Sequence, residues 1–138
     1  MKTIKHQTND DFQVIEPNLH DSNLFSVEND QGQAILKFRL VSGELVQAIF
    51  TNVKRLVCND FREGNIVLDV TIEREVHVSD HGLEKLFIPP MAMFEKYNAY
   101  IQTVKESIES GKMMLVTINP SYGCDGMIYC ENVCFQQI

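Results

Sequence analysis

The feature that most constrains the fold is a long alternation of apolar and polar residues between Asn65 and Val78. The apolar side chains of this run share one parity, broken only by Arg74, and comprise Ile66, Leu68, Val70, Ile72, Val76 and Val78. The other parity carries Val67, Asp69, Thr71, Glu73, Glu75 and His77. Because successive side chains of a β-strand point to opposite faces, this alternation predicts a strand with one buried face and one wet, acidic face.

Shorter apolar runs predict the neighbouring strands. Residues 34–40 alternate between apolar and polar positions, residues 41–44 have the composition of a hairpin turn, and residues 45–50 are the returning strand. A helix over residues 44–56 is the competing interpretation, and the β-branched content favours strands. Further strands are predicted at residues 24–28, 113–118 and 127–135, with a loop at residues 119–126.

One helix is predicted, over about residues 91–110. Its apolar side chains step by three and four positions and so form a single stripe, made of Phe94, Tyr97, Ile101, Val104 and Ile108. Pro89 and Pro90 stand where a helix starts, and Gly111 stands where one ends. Together with the strands, the helix predicts the α+β class: an antiparallel-rich sheet with one main amphipathic helix packed on a face.

Composition places the chain among ordinary globular domains. It has 138 residues, of which 44% are hydrophobic, and no stretch approaches the ~20 consecutive apolar residues that cross a bilayer. No apolar run follows the positive charges at the N-terminus, so no secretion signal is expected. We therefore expect a single domain spanning residues 1–138, located in the cytoplasm, with residues 1–11 frayed.

The charge of the chain restricts its partners. Asp and Glu number 19 against 12 Lys and Arg, which gives a formal net charge of -7. Nucleic acid attracts clusters of Lys and Arg, so direct DNA or RNA binding is disfavoured, and no membrane contact is expected. A basic protein partner, in contrast, would be steered toward an acidic surface.

The cysteines, at positions 58, 124, 130 and 134, do not have the spacing of a zinc site. Such sites usually contain close pairs of ligands two to four residues apart. If Cys130 and Cys134 lie on one unbroken strand, about 13 Å separates them. Two ligands of one zinc must bring their sulfurs to about 3.8 Å. We expect no metal, no cofactor and reduced thiols.

No recognisable motif points to catalysis. The sequence has neither a G-x-S-x-G nucleophile elbow nor a glycine-rich phosphate loop. His77 and His81 are four residues apart, but a predicted strand end and a following turn disfavour a shared helical face. The candidates for a small enzyme or ligand-binding domain are limited to Glu75 with His77 and to the loop from Tyr122 to Gly126. We expect a binding protein rather than an enzyme.

Acidic residues are concentrated around the long predicted strand. Between Asp60 and Glu84 there are seven acidic residues against Arg62 and Arg74. Their carboxylates are spread along an extended segment rather than paired, so they do not indicate a general acid–base couple. We predict that this acidic face binds a basic toxin or nuclease domain through Asp60, Glu63, Asp69, Glu73, Glu75, His77 and Asp80. The last predicted strand, residues 127–135, carries little charge and is a candidate open edge for a dimer contact.

Short sequence words in the first half of the chain follow one another in a familiar order. Residues 19–22 read Leu-His-Asp-Ser, residues 52–53 read Asn-Val, and residues 61–69 read Phe-Arg-Glu-Gly-Asn-Ile-Val-Leu-Asp. Over residues 19–75 this order resembles small β-rich bacterial toxin-immunity proteins. The resemblance implies a cytoplasmic antitoxin-like protein that binds a cognate toxin domain and blocks its active site or its assembly. It transfers no functional residue.

Two alternatives remain open at this point. A phage or plasmid anti-defence inhibitor, of the anti-CRISPR or anti-restriction kind, would use the same acidic groups to occupy a Lys/Arg-lined site. A small enzyme or ligand-binding domain would need a deep pocket lined by histidine or cysteine.

Overall fold

The computed structural model describes residues 1–87 and 94–138, which form a mainly antiparallel sheet with one main helix. The strands are β1 (Lys2–Ile4), β2 (Gln7–Thr8), β3 (Val14–Glu16), β4 (Asn23–Asp30), β5 (Gln33–Arg39), β6 (Leu45–Thr51), β7 (Arg55–Asn59), β8 (Asn65–Glu73), β9 (Met114–Tyr122), β10 (Asp125–Cys130) and β11 (Asn132–Gln137). The helices are α1 (Asp80–Leu83) and α2 (Phe94–Glu109). The predicted α+β class is confirmed.

Within the described residues, the main sheet has nine strands in the order β1-β11-β6-β5-β4-β8-β9-β10-β7. Its weakest junction lies between β4 and β8, which share only the pairs Asn23 with Ile66 and Leu24 with Asn65. Beyond these pairs β4 continues with β5 alone. The sheet therefore divides here into two halves, and the edge of β8 that β4 leaves is open to other parts of the chain.

The larger hydrophobic core contains side chains from both halves of the sheet. Its largest fully buried members include Leu24, Leu36, Phe38, Phe50, Val67, Ile128 and Phe135. In β5 the residues Ala34, Leu36 and Phe38 are buried while Gln33 and Arg39 are exposed, as the alternation predicts. The strands at residues 34–40 and 45–50 are thus confirmed, and the competing helix over residues 44–56 is wrong.

Helix α2 covers the opposite face of β9 and β10. Ile101, Val104 and Ile108 are buried there, in a second apolar cluster that also contains Leu115, Met127 and Tyr129. The predicted packing of the helix on one face is confirmed. Its predicted start at residues 91–93 lies outside the described residues. The helix ends at Glu109, and Gly111 follows with φ +83°, the left-handed conformation that glycine adopts after a helix.

Strand β8 departs from the predicted alternation in two ways. Register shifts around Val67 move the pattern by one residue, so that Val67 is 1% exposed and Leu68, expected in the core, is 44% exposed. A bulge of this kind places two residues opposite one and thereby changes the parity. The strand also ends at Glu73 rather than at Val78. Directly after this end, the guanidinium of Arg74 donates to the carbonyls of Gly111 and Glu131.

The two ends of the chain correct the prediction of an open edge. We expected residues 1–11 to be frayed, whereas β1 pairs with β11 and β2 pairs with β3. The predicted last strand is broken at Glu131 into β10, which lies between β9 and β7, and β11, which lies between β1 and β6. Neither piece has an open edge, so the premise for a dimer through this strand is wrong. The edges of the main sheet are β1 and β7.

The predicted loop at residues 119–126 is largely strand. β9 extends to Tyr122, β10 begins at Asp125, and the turn between them contains Gly123 at φ +86°. A side chain at this glycine would bring its Cβ to 2.4 Å from Oδ1 of Asn65, so the close approach requires glycine here.

Candidate functional site

The seven residues predicted to form one acidic face lie on several different elements. Asp69 and Glu73 are on β8, whereas Asp60 and Glu63 are exposed in the turn before it. Glu75 follows the strand with φ 60°, and its backbone N–H donates to the carbonyl of Ile108 at 2.8 Å. The alternation that suggested a shared face ends with the strand at Glu73.

Several of these side chains are paired within the chain. Asp60 lies 2.8 Å from the guanidinium of Arg62, and Asp80 lies 2.7 Å from the ammonium of Lys105. His77 contacts the carboxylate of Glu109 at 2.9 Å, not that of Glu75. The predicted enzyme candidate Glu75 with His77 is therefore not a contacting pair, and the second enzyme candidate, Tyr122–Gly126, is mostly strand.

Glu73 and Asp69 are both half-buried on β8, in different surroundings. Burial raises the pKa of the Glu73 carboxyl. Asp69 accepts hydrogen bonds at both of its oxygens, from Nε2 of Gln13 at 3.3 Å and from Nδ2 of Asn119 at 2.7 Å. These two donors fix the orientation of the Asp69 carboxylate.

A cleft opens at the edge of β8 that β4 leaves. Residues 12–22 cover this edge: the N–H of Ile72 donates to the carbonyl of Phe12 at 2.9 Å, and Asp21 donates to Val67 at 2.8 Å. Between these two attachments the cover is incomplete, and the gap is a cleft of about 540 Å³. It is lined by Gln13, Val14, Ile15, Asn18, His20, Leu68 and Asp69.

His20 is oriented by the same edge. Its Nδ1 lies 2.8 Å from the carbonyl oxygen of Leu68, which can only accept, so Nδ1 carries a proton. Its Nε2 lies 3.4 Å from the carboxylate of Asp21. Both ring nitrogens therefore contact groups of the chain itself, and the ring presents an edge and a face to the cleft.

Phe12 is held beside the cleft by a tight turn between β2 and β3. The side-chain oxygen of Asn9 accepts from the N–H groups of Asp11 and Gln13, both at 3.0 Å, and the N–H of Phe12 donates to the carbonyl of Asn9 at 3.1 Å. Phe12 itself has φ 63°. A bulky residue with positive φ is a true outlier, because its Cβ crowds the backbone.

Three large apolar side chains are exposed in this region: Phe12 is 39%, Ile15 50% and Leu68 44% exposed. We call the seven residues Phe12, Gln13, Ile15, Asn18, His20, Leu68 and Asp69 the cleft surface. The segments that form it, residues 9–23 and 65–73, contain six acids, namely Asp10, Asp11, Glu16, Asp21, Asp69 and Glu73, and no Lys or Arg. The cleft surface thus combines exposed apolar side chains with two segments that carry acidic residues and no Lys or Arg.

The cleft surface has two ionisable side chains, His20 and Asp69, and each is held in place by hydrogen bonds. Among residues 1–87 and 94–138, no three His, Cys, Asp or Glu side chains are grouped so that they could hold a metal ion. The described helices include none that is long and apolar enough to cross a bilayer.

Comparison with known proteins gives no further assignment: no protein-family model, curated protein or solved structure matches the chain.

Among the residues of the cleft surface, only Asp69 is predicted from the sequence as a contact to a partner. Leu68 is predicted in the core because a bulge leaves no mark in the local pattern. Phe12 and Ile15 belong to a short apolar run for which the sequence predicts no strand. One signal was available, namely the run of residues 9–23 with four acids and no base.

Proposed function

We propose that the chain is a cytoplasmic inhibitor of the toxin-immunity type, which binds and neutralises a basic toxin or nuclease domain through the cleft surface. The observation that carries the proposal is the grouping of exposed Phe12, Ile15 and Leu68 at or beside a cleft whose surrounding segments are acidic and lack bases. Protein interfaces typically place a few apolar or aromatic anchors inside a polar rim, and those anchors carry most of the binding energy.

The conformation of the anchors supports a binding role. Positive φ at Phe12 costs on the order of 1–3 kcal/mol, a cost that glycine would largely avoid at the same position. Leu68 is exposed by a bulge, between the buried Val67 and the half-buried Asp69. Backbone strain and bulges of this kind concentrate at functional sites, where they direct particular side chains outward.

The electrostatics of the cleft surface favour a basic partner. Carboxylates around an interface steer a positively charged domain and mainly increase the association rate. Asp10, Asp11 and Glu16 are exposed, so they can act on a partner without disturbing the fold. Asp69 and Glu73 are half-buried, and their reversal to Lys would also damage the sheet.

The experiment is a growth-rescue assay with the toxin domain encoded beside the gene of this chain. The wild-type chain should restore growth and should form a one-to-one complex with the toxin domain. Substitution of an anchor, Phe12→Ala or Leu68→Ala, should weaken that complex by about 30-fold, which corresponds to a hot-spot loss of about 2 kcal/mol. Val41→Ala is the matched control, since Val41 is 74% exposed in the turn between β5 and β6 and does not line the cleft.

A pair of charge variants tests the electrostatic part. Asp10→Lys, Asp11→Lys and Glu16→Lys together change the net charge from -7 by three steps of two, to -1. The control triple, Glu28→Lys, Asp30→Lys and Glu44→Lys, makes the same change at exposed positions that do not line the cleft. Only the first triple should slow association and reduce its salt dependence.

Several outcomes would contradict the proposal. One is a folded wild-type chain that neither binds nor neutralises the toxin domain. Another is tight binding that survives both anchor substitutions. Equal losses for the two charge triples would mean that net charge, and not the cleft surface, governs the encounter.

A further inference from the structure

Two thiols lie close together at the edge strand β7. Sγ of Cys58, in β7, lies 2.6 Å from Sγ of Cys124, which immediately precedes β10. In the pairing of β7 with β10, Cys58 lies opposite Gly126. Cys124 is two residues from Gly126 and therefore points to the same face of the sheet as Cys58. The fold thus brings together two cysteines that are 66 residues apart in sequence.

Gly126 provides the space in which these thiols approach each other. A Cβ at this position would lie 3.5 Å from Sγ of Cys124 and 3.1 Å from Cδ1 of Ile118. A larger side chain, directly opposite Cys58, would compete for the region that the two sulfurs occupy. The juxtaposition therefore depends on strand register and on a small residue, in addition to the cysteines themselves.

The two thiols have unequal surroundings. Cys124 is 1% exposed, whereas Cys58 is half-buried near the edge of the sheet. The hydrogen bond from the Cys124 thiol lowers the pKa of Cys58, and the same bond, together with burial, raises the pKa of Cys124. Because the thiolate is the reactive form, Cys58 is the more nucleophilic and the more accessible of the two.

We propose that Cys58 and Cys124 form a modification site, at which a hydroperoxide oxidises the pair to an intramolecular disulfide. In the first step the Cys58 thiolate attacks one oxygen of hydrogen peroxide and the O–O bond breaks. Hydroxide departs, and Cys58 becomes a sulfenic acid. In the second step the sulfur of Cys124 attacks the sulfur of Cys58. The sulfenic oxygen departs as water with the Cys124 proton, so two thiols are oxidised and one peroxide is reduced.

The primary test uses the full-length wild-type chain, treated with hydrogen peroxide and then alkylated after denaturation. Before alkylation the intact mass should fall by the mass of two hydrogen atoms. After alkylation the chain should carry two alkyl groups instead of four, and peptide mapping should find Cys58 linked to Cys124, with Cys130 and Cys134 alkylated. The disulfide should raise the melting temperature by several degrees, reversibly with dithiothreitol, since it closes a long loop. A different linkage, or oxygen addition elsewhere while Cys58 and Cys124 remain alkylated, would overturn the proposal.

The order of the two steps is tested by sulfenic-acid trapping with dimedone. In Cys124→Ser the sulfenic acid has no resolving thiol, so dimedone should label Cys58. In Cys58→Ser, Cys124 should stay unlabelled over the same time. The control Cys134→Ser removes a half-buried thiol whose sulfur lies 3.9 Å from the carbonyl of Phe135, and it should form the disulfide like the wild type. Preferential labelling of Cys124 would refute the assigned roles.

Discussion

Asn65 offers the sharpest test of how the two halves of the sheet are joined. Its side chain is buried, with 2% exposure, and makes four hydrogen bonds. Oδ1 accepts from the N–H groups of Arg62 at 2.8 Å and Cys124 at 2.9 Å. Nδ2 donates to the carbonyls of Leu24 at 3.0 Å and Arg62 at 2.7 Å. One amide group thus connects the turn before β8, the strand β4 and the turn before β10.

Asn65→Ala should destabilise the chain by about 4 kcal/mol. The variant leaves four backbone groups without their partner, and each such hydrogen bond contributes about 1 kcal/mol net. An unfolding entropy of about 2.1 cal/mol/K per residue over 138 residues converts this loss to a melting temperature lower by roughly 14 °C. Since small domains are stable by only about 5–15 kcal/mol, the variant should remain folded but clearly weakened.

Urea and thermal unfolding followed by circular dichroism provide the measurement. The midpoint should fall without a change in the denaturant slope, because the surface exposed on unfolding is the same. The matched control is Asn98→Ala, at an exposed position of α2, which should change stability by no more than about 0.5 kcal/mol. A loss below about 1 kcal/mol for Asn65→Ala would refute the idea that this side chain secures the junction.

Two further predictions concern the opposite ends of the fold. The ring of His6 lies 5.5 Å from that of Phe135, and burial lowers the pKa of the His6 imidazole from 6.5. The stability that the neutral imidazole contributes is therefore fully present above about pH 6.5 and is lost as the pH falls through the lowered pKa. The urea midpoint should therefore decrease less on acidification in His6→Gln than in the wild type. The control His81→Gln alters an imidazole that is 94% exposed, and an equal change there would contradict the assignment. Ile108→Ala should cost about 2–5 kcal/mol by urea unfolding, since Ile108 is 0% exposed on the buried face of α2. The exposed control Lys96→Ala should be near neutral, and similar losses for both would argue against the packing of the helix.

The elements that local periodicity predicted well are those whose burial is set by one face. The β5 and β6 strands and helix α2 follow their apolar patterns because each buries one side against a continuous core. The pattern fails at Leu68, since a bulge shifts the parity of a strand without a distinctive residue to announce it. The prediction of one acidic face fails because the strand is shorter than expected. Glu75 and His77 keep the parity of Asp69 in the sequence, but the strand has ended before them.

The parts that sequence could not predict depend on contacts between distant residues. The edge of β11 is covered by β1, from the segment that we expected to be frayed, and the edge of β8 is covered by residues 12–22. The cleft exists only because β4 leaves β8 after two residue pairs. Likewise, the meeting of Cys58 with Cys124 follows from strand register, which no local spacing of cysteines reveals.

The sequence words behind the toxin-immunity resemblance occupy one structural unit. The N–H of Asp21 donates to the carbonyl of Val67 at 2.8 Å, the N–H of Val67 donates to Ser22 at 3.0 Å, and His20 contacts the carbonyl of Leu68. The segment at residues 19–22 is therefore hydrogen-bonded directly to the segment at residues 61–69, which includes the first part of β8. The first segment covers the edge of the second. Phe12 and Ile15, which would contact a partner most directly, lie outside both words. It follows that these two words account for the frame around the cleft and not for the two exposed apolar side chains on which the proposed interface depends.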